Sequence, residues 1–304
     1  MKVRGGLLAG AVLGLLSVSA PGSGRAAATK EGAEMAPEAH FTIVSDAASP
    51  SLEEIDAYLD RTWTRFRDLF AVEPAPVRVV LTVAESEAAT RSQTDQRSEA
   101  ADAHVIAWML PRGEGLDGQS LSDLSHEIAH MYFLDVMGNP GGLHQEHAWL
   151  HEAVACYHEA DPFRNNRRQW MRDHLEDRVP LAQLFEMQNP VKVNPLVELT
   201  ARLHGQLAKG EITVTELNQQ ISAYASSHAS ELVNAGVRNM TYYSQSLSVF
   251  EFLLEREGEA FIRTMAQKLR DGETMESIVR GTGHYAEGID SLENAWLEWS
   301  RARS

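Results

Sequence analysis

Half of the histidines in the chain lie in one stretch, which restricts the possible folds more than any other feature. Residues 125–159 read SHEIAHMYFLDVMGNPGGLHQEHAWLHEAVACYHE and hold six of the twelve histidines together with four glutamates. The GNPGG segment divides the stretch into two arms, because Gly and Pro interrupt regular structure. The stretch is either a metal site or a polar surface rich in histidine, and the residue spacing decides between the two.

Both arms have the pattern of helices. The first, GQSLSDLSHEIAHMYF, opens with Ser120 and Asp123 at capping-box spacing. Its apolar residues recur every three or four positions and predict a helix with one buried side; they are Leu121, Leu124, Ile128 and Met131. The second arm, HAWLHEAVACYHE, predicts a second helix. Its small residues would let the two helices approach closely; they are Ala153, Ala155 and Cys156.

The first helix contains the arrangement H-E-x-x-H. His126 and His130 are four residues apart, so their rings project from the same helix face within reach of one ion, and Glu127 lies beside the first. Imidazole nitrogen is a preferred ligand of zinc, which takes three protein ligands in a catalytic site and keeps a fourth position for water. A third protein ligand is therefore expected.

The third ligand has several candidates. The metzincin pattern requires Gly at position 133 and His at position 136, but Phe133 and Val136 stand there, so that class is excluded. The remaining candidates all follow GNPGG; they are His144, Glu146, His147, His151, Glu152, His158 and Glu159. Helical geometry puts Glu152 and Glu159 on one side of the second helix, and it puts His151 and His158 in a neighbouring row.

The second helix resembles a segment of known zinc peptidases. WLHEAVACYHE is similar to the W-L-N-E-G-x-A-x-Y-x-E segment of gluzincins, with His151 in place of Asn and Ala153 in place of Gly. The resemblance implies that Glu152 is the third zinc ligand. It also implies that Glu159 accepts the free N–H of a ligating histidine; the alternative for Glu159 is a surface carboxylate.

The resemblance extends over about residues 40–300 to the compact peptidase MA-like bacterial family within the gluzincins. MTYYSQSLSVFEFLLEREG is similar to a helix opening that these enzymes place after the zinc ligands, and it implies Tyr243 as the hydroxyl that stabilises the oxyanion. Tyr242 is a rival, and a buried core tyrosine is the alternative role. The closing segment, ETMESIVRGTGHYAEGIDSLENAWLEWSR, resembles the helices that end these enzymes.

The pattern along the chain predicts an α+β fold. HFTIVS (40–45), VRVVLTV (77–83) and AHVIAWML (103–110) predict strands, segment 51–70 predicts a helix, and a short helix is expected near 85–91. From Ser120 the pattern is helical almost to the end, with breaks at GNPGG, NPVKVNP and GTG. We expect a small α/β sheet subdomain at 39–118, then a mainly helical, zincin-like catalytic and C-terminal region at 119–304.

The first residues have the pattern of an export signal. Residues 1–28 begin with Lys2 and Arg4, continue with an apolar run too short to span a bilayer, and contain small residues at candidate cleavage sites after Ala20 or at 26–28. Residues 29–38 read as a linker. We expect a secreted or periplasmic protein without an integral membrane segment in its mature chain. The single Cys156 leaves no intrachain disulfide.

Charge excludes one class of partner. A formal net charge of −16 disfavours DNA or RNA, because nucleic-acid binders concentrate Lys and Arg on one face. The local exception, FRNNRRQWMRDH, predicts a solvated helix face, or else a site for an anionic substrate group; its cations are Arg164, Arg167, Arg168 and Arg172.

These observations predict a secreted Zn²⁺ peptidase in which Glu127 is the general base. The alternative is a catalytically silent binding or scaffold protein with the same fold; structural zinc fits poorly, because such sites use four ligands, usually with cysteine. The substrate class is peptide or protein, and endopeptidase and exopeptidase modes both stay open.

The strand from His104 to Trp108 is a candidate edge for peptide binding. The other four histidines of the stretch are expected in loops or at the surface.

Overall fold

The computed structural model describes residues 40–45, 52–83, 92–98, 103–110, 117–138, 147–190 and 195–303. The predicted signal segment at 1–28, the linker at 29–38, the helix expected at 85–91 and the loop with His144 lie outside these ranges. In the described part the chain is α+β, as predicted, with four strands and eleven α-helices.

Four strands form one mixed sheet. They are β1 (Phe41–Ser45), β2 (Val77–Val83), β3 (Ser92–Ser98) and β4 (Ala103–Leu110). The order across the sheet is β1-β2-β4-β3, with β1, β2 and β4 parallel and β3 antiparallel to β4. Phe41 pairs with Val77, and Val77 pairs with His104. Strand β2 buries Val77, Val79 and Leu81 and exposes Arg78, which is the alternation of a half-covered sheet.

One expectation about the sheet is wrong, and one strand was not predicted. Strand β4 has a neighbour on each side, so the segment from His104 to Trp108 is not an edge to which a peptide can add. Strand β3 was not expected at all, because its sequence, SQTDQRS, has neither apolar residues nor alternation.

Helices make up most of the rest of the described chain. They are α1 (Leu52–Phe70), α2 (Gly118–Val136), α3 (Ala148–His158), α4 (Asp161–Asp173), α5 (Leu181–Glu186), α6 (Pro195–Ala208), α7 (Val214–Ser227), α8 (Ala229–Glu257), α9 (Glu259–Arg270), α10 (Met275–Gly281) and α11 (Ile289–Arg301). A single 3-10 turn follows α4 at Leu175–Asp177. The predicted breaks coincide with helix ends: α2 ends at Val136, two residues before GNPGG, α6 begins at Pro195, the last residue of NPVKVNP, and α10 ends at Gly281, the first residue of GTG.

The chain divides into two compact units, each made of several segments. One contains the strands with α6 and α7, and the other contains most of α1, helices α2–α5, most of α8, and α9–α11. The boundary at residues 118 and 119 stays a prediction.

The helical unit is built around α2, α3 and α8. Residues 241–250 of α8 are all buried, and α3 is buried at every position but Tyr157. Phe66 of α1 lies 5.2 Å from the ring of Tyr132 and 5.5 Å from that of His158, which joins α1 to α2 and α3. A buried hydrogen bond from Trp296 Nε1 to Ser248 Oγ also joins α11 to α8.

The start of α2 differs from the expectation. Its N-cap is Asp117, whose carboxylate accepts hydrogen bonds from the backbone N–H and the hydroxyl of Ser120, at 2.8 and 2.7 Å. The predicted capping box of Ser120 and Asp123 is wrong, because an aspartate three residues earlier already satisfies the free N–H groups of the first turn.

Candidate metal centre

Three side-chain atoms from α2 and α3 converge on one point inside the helical unit. His126 Nε2 and His130 Nε2 lie 3.2 Å apart. The carboxylate oxygen Oε2 of Glu152 lies 3.4 Å from the first nitrogen and 3.3 Å from the second. The predicted ligands are therefore together, although they come from two helices and 22 positions of sequence separate His130 from Glu152.

The spacing of these atoms fits a bound cation. Tetrahedral zinc with bonds of 2.0–2.1 Å holds its ligand atoms about 3.3 Å from one another. Glu152 is 5% exposed, and its Oε2 has no hydrogen-bond partner among the described residues. A buried carboxylate oxygen is costly unless a cation meets it, either a protonated imidazole or a metal ion. The group His126, His130 and Glu152 could therefore hold a metal ion.

The charges of the three residues are coupled. Burial alone would raise the pKa of Glu152, but the neighbouring His130 and His126 hold that pKa well below its ordinary value. Burial alone would lower the pKa of His126, but contacts from Cys156, Glu152 and Glu159 raise it well above its ordinary value. A metal ligand must be deprotonated, so a cation that binds here has to displace a proton.

A second layer of side chains holds His126. Its Nδ1 lies 2.9 Å from Glu159 Oε1, and Glu159 is 4% exposed, which excludes the alternative of a surface carboxylate. An N–H at Nδ1 that donates to this carboxylate leaves the lone pair on Nε2, toward His130 and Glu152. The contact expected between Glu159 and a ligating histidine is thus present.

Arg167 of α4 fixes Glu159 in turn. Its Nε donates to Glu159 Oε2 at 2.7 Å, and its Nη2 donates to Oε1. Burial would raise the pKa of Glu159, but the charge of Arg167 and the hydrogen bond with His126 lower that pKa to about 2. The carboxylate therefore stays ionised at neutral pH.

A second group of possible ligands is less suited to a cation. His126, Cys156 and Glu159 also lie close together. Burial raises the pKa of the Cys156 thiol to about 11, so the thiolate that binds metals is scarce at neutral pH. Glu159 already pairs with Arg167, whose positive charge disfavours a cation nearby.

Asn189 links the third predicted ligand to the predicted tyrosine. Its Nδ2 lies 2.6 Å from Glu152 Oε1 and 3.3 Å from the hydroxyl of Tyr243. The ring of Tyr243 lies 6.3 Å from that of His126, and the guanidinium of Arg167 lies 5.2 Å from the centre of the tyrosine ring. Burial and the nearby Glu152 raise the pKa of Tyr243 well above its ordinary value, so its phenol keeps its proton.

Tyr242 has a different environment. It is 1% exposed, and its hydroxyl has no hydrogen-bond partner among the described residues. Its ring packs at 5.8 Å against the ring of Tyr243. Tyr243 is thus the tyrosine whose hydroxyl is joined to the ligand group.

Glu127 follows His126 on α2 and is partly exposed. Two other histidines of the stretch are buried, which contradicts the expected surface or loop placement. His151 packs against Phe133 with ring centres 4.7 Å apart, and His158 Nδ1 donates to the carbonyl of Val154 at 2.7 Å. They face inward because α3 is covered on nearly all sides.

The expectation of a solvated arginine face is wrong for three of its four members. Arg167 pairs with Glu159, and Arg168 donates from Nε to both oxygens of Glu251 at 3.1 Å. Arg164 is buried and donates to the carbonyl of Tyr157 at 3.1 Å. Arg172 is exposed as expected. Composition could not show which of the four arginines are solvated, because the packing of α4 decides which positions face inward.

No pattern in the sequence indicated that Asn189 belongs to the site. It precedes a proline in a break between helices, and its contacts join residues 37 and 54 positions away. Arg167 had a weak signal, since it belongs to the arginine-rich stretch and stands eight residues after Glu159.

Comparison of the chain with protein-family models, with curated proteins and with solved structures found no match. In the ranges that the structure describes, no helix combines the length and the apolar character needed to cross a bilayer.

Proposed function

We propose that the protein is a zinc-dependent peptidase. The observation that carries the proposal is the convergence of His126 Nε2, His130 Nε2 and Glu152 Oε2, with mutual distances of 3.2–3.4 Å. Two imidazoles and one carboxylate are a ligand set of catalytic zinc and leave a fourth position for water. The resemblance of H-E-x-x-H and WLHEAVACYHE to gluzincins supports the zincin-like fold and the peptide substrate.

The proposed chemistry assigns a separate task to each residue. Bound zinc would lower the pKa of a water molecule and polarise a carbonyl group. Glu127, partly exposed beside His126, is the base that takes the proton from water and passes it to the leaving amine. Tyr243 donates a hydrogen bond to the developing oxyanion, and Glu159 keeps His126 in the tautomer that binds metal.

Export is a further part of the proposal. It rests on the basic start, short apolar run and small residues of segment 1–28. A secreted or periplasmic location would bring the enzyme to extracellular peptides or proteins.

Replacement of Glu127 by Gln tests the reaction. We expect zinc to stay bound at one ion per chain, while hydrolysis of a mixed peptide library falls by about 10²–10⁴-fold, because general base catalysis contributes that much. Mass spectrometry of the cleavage products measures the hydrolysis and also shows whether cleavage is internal or terminal. The matched control is Glu198→Gln, an exposed glutamate on α6, which should change neither property.

Zinc bound without cleavage by the wild type would contradict the peptidase proposal and favour a scaffold protein that keeps the fold. Equal hydrolysis by wild type and Glu127→Gln would contradict the assignment of the base.

A further inference from the structure

The amide of Asn189 lies between two groups with different tasks in the proposed site. Asn189 follows α5, is 4% exposed, and reaches Glu152 Oε1 and the Tyr243 hydroxyl with the same nitrogen. A carboxylate oxygen only accepts hydrogen bonds, so the amide side that faces Glu152 at 2.6 Å must be the NH₂ group.

The first contact selects which oxygen of Glu152 is available. The bond from Asn189 occupies Oε1, and Oε2 is the oxygen that converges with the two imidazoles. Without this bond the carboxylate could rotate about its terminal torsion, which is broad for Glu. The bond thus keeps one oxygen toward the ligand group before any cation arrives.

The second contact sets the direction of the tyrosine hydrogen. The NH₂ group has no free lone pair, so in its 3.3 Å contact with Tyr243 the phenol oxygen must accept. The hydrogen of the phenol therefore points away from Asn189. A hydroxyl that is already turned outward loses less entropy when it donates to an oxyanion.

We propose that Asn189 is a positioning residue of the metal centre. It orients Glu152 for metal binding and directs the Tyr243 hydrogen toward the substrate. The tyrosine part rests on the proposed function, whereas the metal part requires only that the three ligand atoms bind zinc.

Two variants remove the donor and differ in volume. Asn189→Leu keeps the approximate size of the side chain, and Asn189→Ala leaves a cavity, so an effect shared by both is due to the lost hydrogen bonds. We expect zinc affinity, measured by competition with a chromophoric chelator, to fall by about 10–100-fold in both. The absorption spectrum of the Co²⁺-loaded protein should also shift. Asn218→Leu, an exposed asparagine on α7, is the control and should match wild type.

The same variants in a Tyr243→Phe background separate the two contacts. Loss of zinc affinity should be equal in both backgrounds, because that contact goes to Glu152. At saturating zinc, kcat should fall by about 10–100-fold when Asn189 is replaced in wild type. It should fall no further in Tyr243→Phe, which lacks the oxygen that accepts from Asn189.

Unchanged zinc affinity in both Asn189 variants would overturn the metal part, and additive losses of kcat would overturn the tyrosine part. If wild type binds zinc but cleaves no peptide, the proposed function fails while the affinity measurement still decides the metal part. Circular dichroism and the thermal midpoint identify a variant that has not folded. If one of the two Asn189 variants has not folded, the zinc affinity and kcat of the other variant test the proposal.

Discussion

His126 uses each of its ring nitrogens for a different contact. Nε2 faces His130 and Glu152, and Nδ1 faces Glu159. A neutral imidazole carries one proton, so a fixed proton on one nitrogen makes the other a ligand. The H-E-x-x-H spacing predicted the first contact. The second was available only through the resemblance, because the tautomer depends on a residue 33 positions away.

His158 shows the opposite behaviour for a buried histidine. It is 2% exposed, its Nδ1 donates to Val154, and its Nε2 has no hydrogen-bond partner among the described residues. Burial lowers the pKa of His158 to about 3. The ring therefore stays neutral in the folded protein over the range in which an unfolded histidine, with a pKa near 6.5, becomes charged.

This difference predicts a pH dependence of stability. As the pH falls from 6.5 toward 3, the unfolded chain binds a proton at His158 that the folded chain does not, so the free energy of unfolding falls by about 1.4 kcal/mol per pH unit from this residue. His158→Phe should remove that slope, measured by urea unfolding at pH 7, 6, 5 and 4.

His204→Phe, at an exposed position of α6, serves as the control and should keep the wild-type slope. A wild-type slope in His158→Phe would show that His158 does not titrate in this way.

At the scale of elements, apolar pattern predicted the strands and helices with strong signals. VRVVLTV and AHVIAWML coincide with β2 and β4, and the periodic segment 51–70 coincides with α1 to within one residue. Strand β3 lacked a signal because its polar sequence gains its strand conformation by pairing with β4, a contact that local pattern does not contain.

Helix α4 joins the second layer of the site to the rest of the helical unit. Arg167 ties it to Glu159 at the end of α3, and Arg168 ties it to Glu251 of α8. The helical pattern predicted α4, but composition could not show which of its arginines point inward and which point outward. The partners of a buried charge are visible only after the helices are packed.

Replacement of Arg167 by Met should destabilise the protein strongly. Glu159 would keep a buried charge without its arginine partner, which costs about 3–5 kcal/mol in the free energy of unfolding. Zinc affinity should also fall, by about tenfold, because Glu159 would no longer be held against His126. Chemical denaturation and chelator competition measure the two effects.

Arg172→Met on the same helix is the matched control. Arg172 is exposed and bonds only to its own helix among the described contacts, at Gln169, so the change should stay within about 0.5 kcal/mol. Equal losses for the two arginines would contradict a special role for the Arg167–Glu159 pair.

At the scale of the whole molecule, we expect bound zinc to stabilise the folded protein against unfolding. A ligand that binds only the folded state stabilises it by about 2.7 kcal/mol at a concentration 100 times its dissociation constant. Because protons compete for the ligands, we expect zinc to raise the thermal midpoint by several degrees at pH 7.5 and by less at pH 5.5.

Calorimetry of the protein treated with chelator and then reloaded with zinc measures this difference. If zinc does not change the thermal midpoint of the wild-type protein at either pH, the proposed ligand set is contradicted. The Glu152→Gln variant is the control, since it keeps the shape of the side chain but loses the ligand charge and should respond little to zinc.

The most direct measurement is X-ray absorption at the zinc edge of the loaded protein. We predict one zinc ion per chain with nitrogen and oxygen neighbours at about 2.0–2.2 Å, a shell that weakens in Glu152→Gln. A sulfur neighbour at about 2.3 Å, which Cys156 alone could supply, or a chain that binds no zinc would contradict the site of His126, His130 and Glu152.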